Sequence, residues 1–580
     1  MNAERLLSHY ERIADAPGAI ARLRRFVVEL AAHGKLVPQY ASDQPASELL
    51  KRIGHEQARL VKVGKVKNAK APEPIRDSEL PIELPRNWAW ARLCEIGKLS
   101  GGMTPSMNRP DFWAGDVVWL SPKDIKSDEV ADSELKISAL GLAETRLELY
   151  RPGCLFMVAR SGILKRTFPV SINRVPAAAN QDMKVLVPFL HGQERFLQIM
   201  FRGLTNFILR ELVKTGTTVQ SLKYAEFEQQ PFPLPPLAEQ RRIVAKVDEL
   251  MLLCDRLEAA RVSRETVLDR LTVASLTRLS APDPKTFQAG ARFVLDTLPA
   301  LTTRPDQIKQ LRRTILNLAV RGKLVAQAPS DKPTSELLKR ITKEKAQLLT
   351  TGAIPRQTKA VRDPTKLTEE LPASWSPIAL GEVCNLVTSG SRGWAEFYST
   401  SGSGFIRAQN IRFGKLRLND LAFVNPPSNS EGSRTQATKG DLLVVITGAG
   451  VTNPALLDHD LGEAYVSQHV ALVRPSDPQL SSWLLLCLMA DAGGRAELVE
   501  RAYGSGKPGL NLDNIRSLSI PLPPLAEQHR IVAKVHALIA LCDRIESQLI
   551  NAAETRRRLL DALLAEALAP AEPCEREAAE

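Results

Sequence analysis

Pro233 to Val247 reads PLPPLAEQRRIVAKV, and Pro521 to Val535 reads PLPPLAEQHRIVAKV, with Arg241 against His529 as the only difference. The offset is 288 residues, close to half of the 580-residue chain. A period this long is not that of a solenoid; one long unit is written twice, which implies internal two-fold pseudosymmetry. Each copy opens a helix. Proline is tolerated in a first turn, so Pro235-Pro236 and Pro523-Pro524 suit the start, and Glu239 and Glu527 fall where the helix dipole favours a carboxylate. Apolar residues then follow at Ile243, Val247, Leu250, Cys254 and Leu257, and at Ile531, Val535, Leu538, Cys542 and Ile545. Steps of three and four residues make a coiled-coil seam. Little proline follows until Pro282 or Pro570, so each helix is predicted to run about 40 residues, roughly 60 Å. Two such helices in one chain are expected to pack antiparallel.

Outward from this motif the repeat continues. IARLRRFVVELAAHGKLV (Ile20 to Val37) has its twin in IKQLRRTILNLAVRGKLV (Ile308 to Val325), and SELLKRI recurs at Ser47 to Ile53 and Ser335 to Ile341. The first pair shows the periodicity of one helical face and stops at a glycine; the second opens another helix, so a helical hairpin is expected twice. Basic, proline-bearing stretches, 62 to 79 and 350 to 366, read as loops. LPRNW (Leu84 to Trp88) and LPASW (Leu371 to Trp375) then repeat at an offset of 287. From there to the PLPP motifs the halves diverge. Runs such as DVVWL, CLFMVA and VLVPF in the first block, and FIRAQNI, DLLVVIT and YVSQHVALV in the second, are separated by Gly, Ser, Asn and Pro and read as short strands. The fold class is α+β. The expected divisions are an N-terminal helical arm and linker (1–83), a first variable domain (84–232), a central repeat region (233–371), a second variable domain (372–520) and a C-terminal spacer helix with its tail (521–580).

Composition narrows the function. Lys plus Arg number 77 against 65 Asp plus Glu, a net charge of +12. Such an excess favours an anionic partner, of which nucleic acid is the commonest large one. No apolar run approaches the roughly 18 to 20 residues of a membrane helix, and MNAERLLSHYERIAD carries acidic residues in place of a signal-peptide core, so a cytoplasmic location is expected. Seven scattered cysteines without CxxC or Cys/His spacing point to neither a disulfide framework nor a metal site. Candidate enzyme motifs fail on their residues. Asn425 to Ser428, NPPS, lacks the aromatic of an adenine methyltransferase motif, and GSGK at 504 to 507 is preceded by Arg501 and followed by Pro508, which is not a P-loop. Asp124, Glu134 and Lys136 only loosely imitate a metal-nuclease pattern, and no catalytic residue is assigned. Trp113, Trp119 and Trp394 read as core packing rather than stacking platforms for a flipped base.

A duplicated chain that alternates variable blocks with long helices opening on PLPPLAEQ resembles the specificity (S) subunit of type I restriction-modification systems. The resemblance rests on the two PLPPLAEQ..IVAKV motifs, the two LRR…L…GKLV arms, and SGGMTPS (Ser100 to Ser106) with WLSPKDI (Trp119 to Ile125) in the first block. SGSRGW (Ser389 to Trp394) and FIRAQNI (Phe405 to Ile411) take their place in the second. It implies two target-recognition domains, each reading half of a bipartite asymmetric duplex-DNA site, held apart by spacer helices that dock two modification subunits. S-adenosylmethionine, ATP and magnesium are implied on the methyltransferase and helicase-nuclease partners, with no cofactor in this chain. Two other classes stand beside it: a DNA-modifying enzyme in its own right, and a coiled-coil scaffold without DNA binding.

Base reading needs polar side chains at base edges and cations at phosphates. The candidates in the first domain are Thr104, Ser106, Lys123, Arg160, Lys165, Arg166, Lys214 and Thr217. In the second they are Arg392, Arg407, Gln409, Asn410, Arg412 and Lys507. Three pairs at the repeat offset are candidates for partner docking: Arg241 with His529, Lys246 with Lys534, and Arg256 with Arg544.

Overall fold

The computed structural model describes residues 13–66, 74–76, 80, 83–145, 147–216, 219–280, 292–293, 302–363, 366–367, 371–390, 393–426, 434–503 and 508–569. It is α+β, and it divides into two compact units, Met1–Ser263 with Ala553–Glu580, and Arg264–Ala552. The principal helices are α1 (Ala19–Ala32), α2 (Ala46–Lys62), α3 (Glu194–Gly203), α4 (Leu237–Ser280), α5 (Pro305–Val320), α6 (Thr334–Thr350), α7 (Ser481–Met489) and α8 (Leu525–Leu568). The long helices α4 and α8 each contain 44 residues. Among the described residues no helix is long and apolar enough to cross a membrane.

The diverged blocks share one topology. In the first unit Gly97–Gly101, Met183–Pro188, Leu155–Val158, Val170–Asn173 and Glu129–Val130 form a sheet in that order. In the second, Cys384–Ser389, Val470–Pro475, Leu442–Val445 and Pro454–Leu456 repeat the first four places. Each block also has a parallel pair, Val117–Leu120 beside Ala177–Ala179 and Ser403–Ile406 beside Ala464–Val466. The strands that open and close each block pair antiparallel, Ala89–Arg92 with Pro231–Leu234 and Ser376–Ala379 with Ser519–Leu522. That pairing delivers the chain to Pro235 or Pro523 and hence to the long helix.

Two contacts explain why the shared motifs are shared. The GKLV stop and the LPxxW segment are halves of the first. Gly34 and Gly322 end α1 and α5 at φ +67° and +68°, and a Cβ on either would lie 2.7 Å from the ring of Pro85 or Pro372. The tryptophans of that segment, Trp88 and Trp375, are buried and meet Phe196 and Trp483 edge to face, with centroids 6.5 and 5.5 Å apart. The second contact is the start of the long helix. Gln240 and Gln528 donate to the carbonyls of Pro235 and Pro523 at 3.0 and 2.8 Å. Arg242 pairs with Asp43 at 2.5 Å, and Arg530 with Asp331 at 2.6 Å. Glu239 and Glu527 do occupy the first turn, but they are 1% exposed rather than solvated, and Glu527 accepts from the Trp375 indole at 3.0 Å. Burial pushes both carboxyls up, partly opposed by the indole facing each.

The predicted helical seam is buried at its start and at its cysteines, while Leu250 and Leu538 are half-buried and Leu257 is exposed. Ile243 and Val247 enter the apolar core of the first unit with Val27, Val28 and Phe196, and Ile531 and Val535 enter that of the second with Ile315 and Trp483. Cys254 and Cys542 are buried thiols on the same stripe, as the small-hydrophobe reading requires.

Because a left-handed backbone and a tight contact coincide at Gly34, Gly34→Ala is expected to destabilise the first unit by about 1–3 kcal/mol in urea unfolding. The Arg242 and Arg530 guanidiniums hold Asp43 and Asp331 below the usual carboxylate range. Their stabilisation is therefore present above the unfolded carboxyl value of about 4 and is lost as pH falls through the lower folded value. Asp43→Asn with Asp331→Asn should lower the urea midpoint at pH 7 and flatten its decline below about pH 4.

Candidate nucleic-acid interface

In the first unit, Val213–Lys214, Gln220–Leu222 and Arg160–Ser161 form a three-stranded ribbon in which Lys214 is opposite Ser221 and Ser221 is opposite Arg160. Residues directly opposite share a face. Val213, Gln220 and Leu222 are buried, so Lys214, Ser221 and Arg160 form the outward row, with the two cations about 10 Å apart across two strand spacings. Lys165 and Arg166 follow on the turn leaving the ribbon, both exposed. Among the described residues none of these four cations makes an ion pair. Nearby arginines differ. Arg195 and Arg202 are committed to Asp128, which burial pushes up but these two guanidiniums hold below its ordinary value.

The ribbon adjoins a second element. The main-chain N–H of Arg160 donates to Asp182 at 3.1 Å, and Met103 N–H donates to Ala179 at 2.9 Å, so the Gly102–Ser106 loop and the 180–182 turn meet. Glycine is required at 102, where a Cβ would lie 2.1 Å from two carbonyl oxygens. Thr104 donates to the exposed Gln181. The indoles of Trp113 and Trp119 pin the loop through the carbonyls of Ser106 and Met103, at 3.1 and 3.0 Å, leaving the Ser106 side chain exposed. Trp119 is buried and Trp113 half-buried, 5.0 Å from it edge to face, as core packing requires.

In the second unit the same frame carries other residues. Gly390 fills the place of Gly102, with a Cβ there 1.9 Å from the Val466 carbonyl. Ser121 to Asp124 and Arg407 to Asn410 are equivalent turns. Asp124 accepts from Ser121 N–H at 2.8 Å, and Asn410 from Arg407 N–H at 2.9 Å. This corrects one expectation. Asn410 is fully buried, and its amide also donates to Arg417 and Asp420 at 3.1 Å, so it builds the turn and cannot read a base. Lys123 and Gln409 occupy the same exposed corner of the two turns. Arg407 is half-buried and bonded to the Asp420 carbonyl at 3.0 Å, while Arg412 is exposed on the following hairpin. Trp394 is buried and stacks on Phe405 at 5.8 Å. Thr217, Arg392 and Lys507 lie outside the described residues, as does GSGK at 504 to 507.

Several residues at these sites were not singled out from the sequence. Gln181 and Gln468 are exposed at the same turn of the two domains, and the signal was present in AANQDMKV and YVSQHVALV, where they align at the 287 offset. The same register sets Thr447 and His469 in the places of Arg160 and Asp182, and Thr447 Oγ1 lies 2.6 Å from His469 Nδ1. Arg474, by contrast, is committed to Asp441 at 2.7 Å. The nuclease-like trio does not assemble: both oxygens of Asp124 accept main-chain N–H groups, and Lys136 pairs with Asp132 at 3.1 Å. The docking candidates Arg241, Arg256, His529, Lys534 and Arg544 are exposed on the long helices, and Lys246 is half-buried beside Glu249 at 3.0 Å.

The model of the type I restriction modification DNA specificity domain matches residues 85–264 and 372–555, once in each repeat. The type I restriction enzyme EcoAI specificity subunit of Escherichia coli is 30% identical over 567 residues, covering 94% of this chain and 93% of that protein. The EcoEI specificity subunit of the same organism is 30% identical over 573 residues, covering 95% and 94%. The HsdS subunit of Thermoanaerobacter tengcongensis aligns in structure over 84% of this chain and 98% of its own, at 21% identity and a TM-score of 0.42. With both variable blocks matched and near full-length similarity to such subunits, the chain belongs to the specificity subunits of type I restriction-modification systems.

Proposed function

We propose that each variable domain reads one half of a bipartite, asymmetric duplex-DNA site, and that α4 and α8 set the spacing between the halves and dock two modification subunits. The observation that carries this reading is one frame bearing two different polar surfaces. Arg160, Gln181 and Lys123 face out in the first domain, and Thr447, Gln468 and Gln409 stand at the corresponding places in the second; the first domain adds Lys214 and Ser221 on its ribbon, and the second has His469 in the place of Asp182. Unpaired cations on a ribbon suit phosphates, whereas amide and guanidinium groups at exposed turns suit the donor and acceptor pattern of the major groove. A specificity subunit recognises and does not catalyse. S-adenosylmethionine, ATP and magnesium are assigned to methyltransferase and helicase-nuclease partners in a cytoplasmic complex, because neither a phosphate loop nor a complete methyltransferase motif is read in this chain.

Methylation mapping of a host that expresses this chain with its modification subunits should reveal one bipartite motif, absent when this gene alone is deleted; a methylome unchanged by the deletion would defeat the reading. Variants separate the two kinds of contact. Arg160→Ala with Lys214→Ala in the assembled methyltransferase should weaken binding to all duplexes and reduce the salt slope by about 2, close to 1 per phosphate contact. Gln468→Ala should relax preference at one half-site by about 1–3 kcal/mol and leave the other unchanged.

A further inference from the structure

We infer that the two docks, each between the arm of one repeat and the long-helix tip of the other, are not interchangeable, their packing and charge having become mutually incompatible. In the first unit the tip of α8 is seated on the arm that includes α1. Ile13, Ala16, Ala19, Phe26 and Leu30 are buried against Leu560, Leu563, Leu564 and Ala567. Arg22 pairs with Asp561 at 2.6 Å, and Lys35 Nζ donates to the terminal carbonyls of Leu568 and Ala569 at 2.8 and 2.7 Å. This dock is apolar, with its charges at the rim.

The dock in the second unit is built differently from equivalent positions. There the tip of α4 packs Leu276 and Leu279 with Leu311 of α5. Leu311 and Leu276 match Leu23 and Leu564 of the first dock at the 288 offset, so the register is the same. Around this shared pair the residues change character. Thr272 and Ser275 stand where the first dock has Leu560 and Leu563, and Gln307 and Thr314 stand where it has Ala19 and Phe26. All four are buried, and Gln307 accepts from the main-chain N–H groups of Thr303 and Arg304 at 3.0 and 3.2 Å. Arg304 pairs with Asp269, with Glu265 3.9 Å away. Asp269 is matched by Arg557, and Asp561 by Val273, so neither rim ion pair has a counterpart in the other dock.

Crossed pairings are therefore penalised from both sides. The first arm with the α4 tip would set Phe26 against Thr272 and Ser275, leaving the volume of two leucine side chains unfilled and Arg22 opposite Val273. The second arm with the α8 tip would set Leu560 and Leu563 in the space that Thr272 and Ser275 fill, and would bring Arg304 to Arg557. The first dock is filled by leucines and a phenylalanine and the second by smaller side chains at the same places, and the two arms do not accept each other's tip.

The test uses the full-length chain. A tip exchange (Thr272→Leu, Ser275→Leu, Leu560→Thr, Leu563→Ser) should lower the melting temperature by about 5–10 °C. Adding the arm exchange (Ala19→Gln, Phe26→Thr, Gln307→Ala, Thr314→Phe) should recover at least about half of that loss, because the matches are restored in swapped positions. A tip exchange that melts within about 2 °C of the parent would overturn the inference. So would an eight-substitution chain no more stable than the four. If the tip exchange alone yields no folded protein, recovery of folded chain by the eight substitutions supports the proposal, and failure to recover it defeats the proposal.

Discussion

Everything downstream in each repeat depends on how the long helix is launched. Strand, proline pair and helix follow one another within a few residues, and the launch direction is held by two interactions made in both repeats and by a third, an indole–glutamate hydrogen bond, made in the second. Gln240 or Gln528 returns to a proline carbonyl, Arg242 or Arg530 pairs with an aspartate on the loop after the first arm helix, and a buried glutamate faces the indole of the LPxxW segment. An angular error at the first turn of a 44-residue helix would be multiplied along its length. A buried, hydrogen-bonded carboxylate is costly to desolvate, but it tolerates few orientations of its partners, and this restriction specifies one direction.

The division of labour between frame and surface follows from this. Several residues common to both repeats meet each other: glycine stop against proline ring and arginine against aspartate. Within the variable blocks Gly102 and Gly390 have no room to change against neighbouring carbonyls, and Asp124 and Asn410 keep one main-chain cap with different side chains. Side chains that face outward from this frame carry no such constraint. Lys123 gives way to Gln409 and Arg160 to Thr447 at outward positions, so one architecture carries two different polar surfaces.

What could be read from the chain alone was whatever is periodic or repeated. The 288-residue offset, the 3.6-residue stripes of α1, α4, α5 and α8, and the stops at Gly34 and Gly322 are local patterns, and local patterns survive in one dimension. The basic candidates Arg160, Lys165, Arg166 and Lys214 were legible by residue type, because unpaired cations must remain at the surface. Asn410 was misread because residue type cannot tell an amide that caps a turn from one that faces a groove. Gln181 and Gln468 were passed over because their signal is the 287-residue register, which has to be carried through diverged blocks to reach them.

Tertiary structure alone decided the rest. Strand pairing set Arg160 in one row with Lys214 and Ser221, although it lies 54 residues before Lys214 in the chain. Long-range packing committed Arg195, Arg202 and Arg474 to buried or half-buried aspartates and so removed them from the reading surface. It also buried Glu239 and Glu527, which the sequence places in the first turn of each long helix. The sequence by itself determined the repeat, the helices and their stops, since these follow from neighbours in the chain. Which polar groups remain free to meet DNA is a matter of what each has already bonded to, and those partners lie tens to hundreds of residues away.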